Sequence, residues 1–147
     1  MKLHVAIRVP TNILSIEDSF SQELVKLWKE RGMSGKIFWY DDQETVVSYV
    51  MVEEGGEINT IRGFYTTPLF RGKGLGSELL ETVYSYYEAL GARGMVVNIT
   101  EGAEKIYEKQ GYTILGTRKD FPDQKIAIKG ILTEQEQEKL KKKIKQG

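Results

Sequence analysis

The segment Arg71-Gly72-Lys73-Gly74-Leu75-Gly76 places three glycines and two basic residues between a β-rich stretch and a strongly helical one. Glycine lets the chain turn tightly, and it lets backbone N–H groups approach a ligand without a Cβ in the way. The first turn of the following helix adds unpaired N–H groups and the positive end of the helix dipole. These residues therefore predict a binding site for a phosphate group, and a pyrophosphate fits it well.

Two familiar phosphate loops do not match this segment. The dinucleotide fingerprint G-x-G-x-x-G needs a third glycine where Ser77 stands, and no alternating βαβ run precedes it. A Walker A loop needs Gly-Lys followed by Ser or Thr, which is also missing. From the residues alone, the alternative to phosphate binding is a plain structural turn.

Composition excludes several kinds of chemistry. The 147 residues contain no cysteine and one histidine, His4, which excludes thiol nucleophiles, disulfides and a metal centre built from several histidines of the chain. We expect His4 to be a partly exposed strand residue, and we expect no metal. Basic and acidic residues balance at 21 each, which argues against nucleic-acid and membrane partners. Without a signal-peptide pattern or an 18-residue apolar run, the protein is expected to be soluble and cytoplasmic.

The first half of the chain is predicted to be mostly strands. Alternation from Leu3 through Val5 to Val9 predicts a strand with these residues on its buried face. Ser15 and Asp18 resemble a capping box that opens a helix over residues 16–31. β-branched and aromatic residues between turn sequences then predict an antiparallel meander of three strands, over residues 36–40, 45–52 and 58–66.

The second half alternates between helices and strands. Apolar residues at helical spacing from Leu75 to Leu90 predict a long helix that ends at Gly91. A strand over residues 95–99 follows, parallel to the strand before that helix. A short helix, a hairpin and a lysine-rich helix opened by Thr133 complete the order, and the last helix is expected to fray or dock weakly. The predicted ranges of the short helix and the two hairpin strands are 101–110, 112–117 and 125–131.

The resulting order, β-α-β-β-β-α-β-α-β-β, resembles the GCN5-related N-acetyltransferase (GNAT) superfamily. That family's acetyl-CoA loop, Arg/Gln-x-x-Gly-x-Gly/Ala, is matched by Arg71, Gly74 and Gly76. Its later signature of an alanine, a tyrosine and a glycine-aromatic pair is similar to Ala103, Tyr107 and Gly111-Tyr112. The resemblance covers roughly residues 2–131 and is most specific from residue 63 to residue 112.

The resemblance implies an α/β (α+β) fold. In that fold, a mixed but mostly antiparallel twisted sheet of about seven strands has helices on both faces. Its two central parallel strands, here near residues 62–66 and 95–99, splay apart to admit acetyl-CoA. Residues 1–131 are therefore expected to form the acetyltransferase domain, with residues 132–147 as a C-terminal helix or tail.

The same resemblance implies a cofactor site. Backbone amides of the loop would hold the pyrophosphate, the strand end would pair with the pantetheine amides, and Tyr107 would protonate the departing CoA sulfur. Spacing alone favours a core tyrosine for Tyr107. Lys73 and Arg93 are candidates for charge near the phosphates, with a solvated surface role as the alternative. The predicted cofactor-binding residues are Phe64, Tyr65, Thr66, Arg71, Gly72, Lys73, Gly74, Leu75, Gly76, Asn98 and Tyr107.

A general base is not evident from the sequence. Several family members have a glutamate eleven residues before the loop, where this chain has Thr60. Glu57 lies three residues earlier, an odd step that points it to the opposite strand face. The expectation is a water relay through Thr60, Asn98 or backbone carbonyls, or an amine that arrives deprotonated. Thr100 takes the place of a family asparagine and is expected to be the N-cap of the Tyr107 helix.

The function implied is transfer of the acetyl group of acetyl-CoA to a primary amine of a small molecule, peptide or protein. Because position 60 has no carboxylate, a catalytically silent acetyl-CoA or CoA-binding module with a sensing or scaffolding role is the alternative. A protein-interaction domain that keeps only the fold is a third interpretation. The acceptor is left open, and so is a homodimer.

Overall fold

The computed structural model describes residues 1–7, 13, 26, 28–30, 32, 34–43 and 45–146. Its elements are the strands β1 (Lys2–Ala6), β2 (Gly35–Asp42), β3 (Thr45–Glu53), β4 (Ile58–Thr66), β5 (Gly94–Thr100), β6 (Thr113–Thr117) and β7 (Gln124–Gly130), the helices α1 (Leu75–Ala89), α2 (Glu104–Lys109) and α3 (Glu134–Lys141), and a 3-10 turn (Pro68–Phe70). The strands form a sheet in the order β1-β2-β3-β4-β5-β7-β6. Of the helices described, none is long and apolar enough to cross a membrane.

The chain divides into two compact units, residues 1–54 with 61–85 and residues 55–60 with 86–147. In the first unit, β2 pairs antiparallel with both β1 and β3. Every residue of β3 from Val46 to Val52 is buried, so this strand is covered on both faces. The predicted bounds of β2, β3 and β4 agree with the structure to within two residues.

The predicted buried face of β1 is wrong. Leu3 and Val5 are exposed, whereas His4 and Ala6 on the other face are half-buried. The His4 ring stacks on Trp39, with ring centroids 5.1 Å apart, and its Nε2 lies 2.7 Å from a carboxylate oxygen of Asp41. Alternation shows which side chains share a face, but it does not show which face the rest of the chain covers.

Most of the helix predicted over residues 16–31 lies outside the described residues, including its capping box at Ser15 and Asp18. Lys26 and the residues from Trp28 to Glu30 are helical, in agreement with the prediction. Trp28 is buried in the core of the first unit. That core also contains Ile13, Ile37, Trp39, Val46, Tyr49 and Met51.

Helix α1 matches its prediction closely. Leu79 and Val83 are fully buried, as one apolar face requires. Gly91 has φ of +95°, and the Tyr87 carbonyl accepts a hydrogen bond from Ala92 N–H at 3.0 Å, which closes the helix end. Leu90 departs from the prediction: it follows the last helical residue and is 67% exposed.

In the second unit, β7 pairs antiparallel with both β5 and β6, which confirms the predicted hairpin. The N-cap predicted for α2 is wrong, because Thr100 is still the last residue of β5. The residue at the cap position is Ala103, whose side chain has no oxygen. Instead, the Glu104 carboxylate accepts a hydrogen bond from Gly102 N–H at 3.1 Å, so one N–H in the turn before the helix is still satisfied.

Helix α3 is anchored rather than weakly docked, contrary to the expectation. Thr133 and Glu136 form a reciprocal capping box. The Arg93 guanidinium donates two hydrogen bonds to Glu136 at 3.2 Å, one to Glu57 at 3.0 Å and one to the Ile131 carbonyl at 2.9 Å. Arg93 is therefore held by this helix and the start of β4. The apolar contacts of the segment place Leu132, Leu140 and Ile144 against Val96 and Ile126.

The Arg93–Glu136 pair predicts an acid-dependent contribution to stability. The hydrogen bond from Arg93, followed by the capping hydrogen bond, lowers the pKa of Glu136 from 4.5 to about 2. Because the folded pKa lies below the unfolded one, the stabilisation is full above about pH 4.5 and is lost as the pH falls toward about 2. We expect Glu136→Gln to unfold at lower urea concentration at pH 7 and to lose less stability below pH 4.5 than the wild type.

Glu134→Gln is the matched control for this experiment. Glu134 lies in the same first turn of α3, so its replacement removes an equal charge near the helix N-terminus. Urea unfolding followed by circular dichroism between about pH 7 and about pH 2.5 compares the three proteins. If the free energy of unfolding of Glu136→Gln falls with decreasing pH as steeply as that of the wild type, the ion pair does not contribute to stability in this way.

Candidate functional site

The glycine loop joins β4 to α1 by way of the 3-10 turn. Gly72 and Gly74 both have φ of +78°, in the left-handed region that disfavours residues with a Cβ. At Gly76, an added Cβ would lie 2.8 Å from Phe64 Cζ and 2.8 Å from Thr66 Oγ1. The first two glycines therefore set the path of the loop, and Gly76 lets the first turn of α1 pack directly on the end of β4.

The backbone amides from Gly72 to Gly76 have no backbone acceptor among the residues that the structure describes. The first backbone hydrogen bond into α1 is from Glu78 N–H to the Gly74 carbonyl, at 3.0 Å. Six consecutive N–H groups, from Gly72 to Ser77, thus precede the hydrogen-bonded part of a 15-residue helix. Such amides, together with the positive end of the helix dipole, bind anions such as phosphate.

Both basic side chains of the loop are placed by aromatic neighbours. Arg71 Nε donates to the Thr66 carbonyl at 2.8 Å, and its guanidinium lies 5.6 Å from the Tyr65 ring centroid. Lys73 Nζ lies 5.5 Å from the Phe70 ring centroid. Arg71 is thus folded back on the end of β4, while Lys73 is exposed beside the loop.

A residue that the sequence analysis missed, Ser48 on β3, holds the end of β4. Ser48 is fully buried, and its hydroxyl donates to the Tyr65 carbonyl at 2.8 Å. Its oxygen also lies 3.0 Å from Thr66 Oγ1. A lone serine in an apolar strand gives no sequence signal for such a contact, because the partner residues lie 17 and 18 positions away.

The other predicted site residues, Asn98 and Tyr107, belong to the second unit. Asn98 is half-buried on β5, opposite Ile126 of β7. Tyr107 is 3% exposed on α2, and its ring packs edge-on against Tyr112 with centroids 5.3 Å apart. Burial, and to a smaller extent the neighbouring Tyr112, raises the pKa of Tyr107 above the usual 10.0. The phenol is therefore protonated at neutral pH.

The carboxylate nearest to the predicted base position is already engaged. Glu57 precedes β4, its side chain is exposed, and it accepts from Arg93 at 3.0 Å. Thr60 is half-buried on β4 and brings no charge. Arg93, which the sequence analysis considered for phosphate binding, is held by two carboxylates instead. Among the described residues, no group of three His, Asp or Glu could hold a metal ion.

A seven-stranded sheet whose fourth strand runs through a glycine loop into a helix defines an α/β protein with a candidate anion site at that loop. Residues 34–114, more than half of the chain, match the family model described as "Acetyltransferase (GNAT) domain". The chain belongs to the GNAT acetyltransferase family. This confirms the family resemblance and the predicted fold class.

Solved structures give the same result for the fold. An acetyltransferase from Bacillus subtilis in complex with CoA superimposes with a TM-score of 0.71 at 13% identity, covering 89% of this chain and 99% of that one. A GNAT acetyltransferase from Elizabethkingia anophelis with acetyl-CoA bound gives 0.71 at 18%, covering 88% and 97%. PaiA N-acetyltransferase from Thermoplasma acidophilum, in complex with coenzyme A, gives 0.64 at 10%, covering 89% and 100%. No curated protein sequence matches this chain significantly.

The buried phenol predicts a loss of stability in alkali. Because the folded pKa of Tyr107 lies above the unfolded value of 10.0, its contribution is full below about pH 10 and is lost as the pH rises further. Tyr107→Phe removes the ionisable group, so its stability should fall less steeply above pH 10 than that of the wild type. Urea unfolding of both proteins from about pH 8 to about pH 11 measures the difference. Equal slopes would contradict a strongly raised pKa.

Proposed function

We propose that the protein transfers the acetyl group of acetyl-CoA to a primary amine. The observation that carries this proposal is the run of backbone amides from residue 72 to residue 76 that lack a backbone acceptor at the start of α1. Family membership supports the acyl-transfer chemistry, and bound CoA or acetyl-CoA in structural neighbours supports the choice of donor.

Most of the proposed cofactor contacts belong to the first unit, and Asn98 belongs to the second. The amides from Gly72 to Gly76 hold the diphosphate, and Lys73 adds a positive charge beside it. The Arg71 side chain is hydrogen-bonded to the end of β4, so the main chain of Arg71 is proposed to lie beside the same diphosphate. Backbone groups of β4 from Phe64 to Thr66 pair with the pantetheine amides. Asn98 is proposed as a further polar contact of the cofactor.

In the proposed reaction, the amine nitrogen attacks the thioester carbonyl, the C–S bond breaks, and the electron pair leaves with the CoA sulfur. The products are an amide and CoA, and the nitrogen gives up one proton. Tyr107 is the proposed general acid for the departing thiolate. An ordinary phenol has a pKa near 10 and an ordinary thiol one near 8.5, and burial keeps the Tyr107 phenol protonated.

We propose that the amine loses its proton without a carboxylate base. Thr60 offers a hydroxyl, and Asn98 an amide oxygen, either of which can hold a relay water. Glu57 is excluded from this role in the proposal because its carboxylate is paired with Arg93. An amine of lowered pKa, which is already neutral at working pH, needs no base.

The absence of a carboxylate at position 60 also supports a second candidate function, a silent acetyl-CoA or CoA-binding module. One experiment separates the two. Acetyl-CoA is titrated by calorimetry, and CoA release is then followed with a thiol reagent in the presence of polyamines, aminoglycosides, amino acids and peptides. Saturable binding with turnover on any amine supports the enzyme. Saturable binding without turnover supports the module, and no saturable binding at micromolar levels leaves only the fold.

Gly74→Ala should weaken CoA binding about tenfold, because a left-handed alanine costs about 1–2 kcal/mol and the loop relaxes away from the alignment of its amides. Gly56→Ala is the matched control. Gly56 has φ of +89° and open space around its Cα, so it incurs similar strain in a turn outside the loop. Calorimetric titration with CoA should show full affinity for Gly56→Ala. If both variants lose the same CoA affinity, general destabilisation of the protein, and not a changed arrangement of the loop amides, explains the effect.

Tyr107→Phe should lower kcat about a hundredfold with little change in the KM for acetyl-CoA, because the leaving thiolate loses its proton donor. Glu57→Gln serves as the comparison, and its turnover should stay within about threefold of the wild type because the structure pairs this carboxylate with Arg93. Steady-state rates on the best amine of the panel measure both. A hundredfold loss in Glu57→Gln would identify that carboxylate as the base.

A further inference from the structure

We propose that Ser48 and Thr67 are positioning residues for acetyl-CoA, whose hydroxyls fasten the end of β4 to β3 and thereby fix the edge of β4 that the cofactor uses. This inference rests on the proposed function. It concerns residues outside the glycine loop that do not touch the cofactor in the proposed arrangement. Four hydrogen-bond contacts, all within the first unit, carry it.

Thr67, the residue directly after β4, makes three hydrogen bonds. Its N–H donates to the Val47 carbonyl at 2.8 Å, and its hydroxyl donates to the Val46 carbonyl at 2.7 Å. Its own carbonyl accepts from Phe70 N–H at 2.8 Å, which closes the 3-10 turn that leads to the loop. Thr67 therefore joins β3, through its N–H and hydroxyl, to the turn that leads into the glycine loop, through its carbonyl.

Ser48 makes hydrogen bonds to Tyr65 and Thr66, the two residues that precede Thr67. Its single O–H is used toward the Tyr65 carbonyl, so the Thr66 hydroxyl must be the donor in the contact between the two side chains. A fully buried hydroxyl is costly unless it is hydrogen-bonded, and here both the donor and the acceptor of Ser48 are satisfied. The residues of β3 from Val46 to Val52 are mostly apolar. Ser48 therefore fixes the position of the end of β4 by hydrogen bonds rather than by apolar packing.

These contacts show which main-chain groups at the end of β4 face β3. The N–H and C=O of one strand residue point to the same edge, and successive residues alternate. The Tyr65 carbonyl and the Thr67 N–H both bond to β3. The main-chain groups of Phe64 and Thr66 therefore face the opposite edge, where Arg71 Nε caps the Thr66 carbonyl at 2.8 Å. A pantetheine chain that pairs with β4 must use that edge.

The test compares Thr67→Val, which keeps the branched shape but removes the hydroxyl, with Thr67→Ser, which restores the hydroxyl. Losing a buried hydrogen bond at this position should raise the KM and the Kd for acetyl-CoA about tenfold. Because the acetyl transfer itself is not touched, kcat should stay within about twofold. Thr67→Ser should return both constants to within about threefold of the wild type. A merely structural role would lower kcat and stability without this split or this rescue.

Thr113→Val is the control, since it removes an exposed hydroxyl from β6. Should Thr67→Val not fold, Ser48→Ala is measured in its place, with the same increase in KM expected and with faster hydrogen exchange of the hydrogen-bonded amides of Thr67 and Phe70. If the KM and Kd for acetyl-CoA in Thr67→Val or Ser48→Ala equal those of the wild type, the inference is overturned while the proposed function stands. A wild-type protein that does not bind acetyl-CoA overturns the proposed function, and the inference with it.

Discussion

A run of backbone amides without backbone acceptors is the constraint on which the rest of the site depends. The amides from Gly72 to Gly76 have no backbone acceptor among the described residues. Two left-handed glycines set the path of the loop, and Gly76 lets the helix pack against the end of β4. The buried Ser48 then explains why the end of the strand stays in place. The anion site is thus a property of the main chain, supported by a few side chains behind it.

The sequence predicted this part of the molecule well because its signals are local. The bounds of β4, the glycine loop and the end of α1 at Gly91 each depend on residues within a few positions of one another. Two of the failures depend on distant partners. Alternation could not show that His4, rather than Leu3, would face Trp39, 35 residues further along the chain. The docking of α3 depends on Arg93, which is 43 residues before its partner Glu136.

The chemistry is less evenly supported than the cofactor site. Tyr107 is buried against Tyr112, and burial keeps its phenol protonated at neutral pH. For the proton of the amine, the proposal relies on the uncharged Thr60 and Asn98, because Glu57 is paired with Arg93. Family membership fixes the fold and the class of reaction, whereas the choice of amine depends on details that such folds vary freely. An acceptor that is neutral at working pH is the kind of substrate that this arrangement suits best.

The anchoring of α3 has a consequence for how the protein is made. Backbone hydrogen bonds join Lys119 to Lys143 and Thr117 to Lys145, and the Arg93 side chain is hydrogen-bonded to Glu136. A ribosome must therefore synthesise the chain to about residue 145 before the second unit can complete its contacts. Until then the apolar side chains of Val96 and Ile126 lack their cover from Leu140 and Ile144. The residues of the first unit, 1–54 and 61–85, leave the ribosome before those of α3, and N-terminal regions generally fold first.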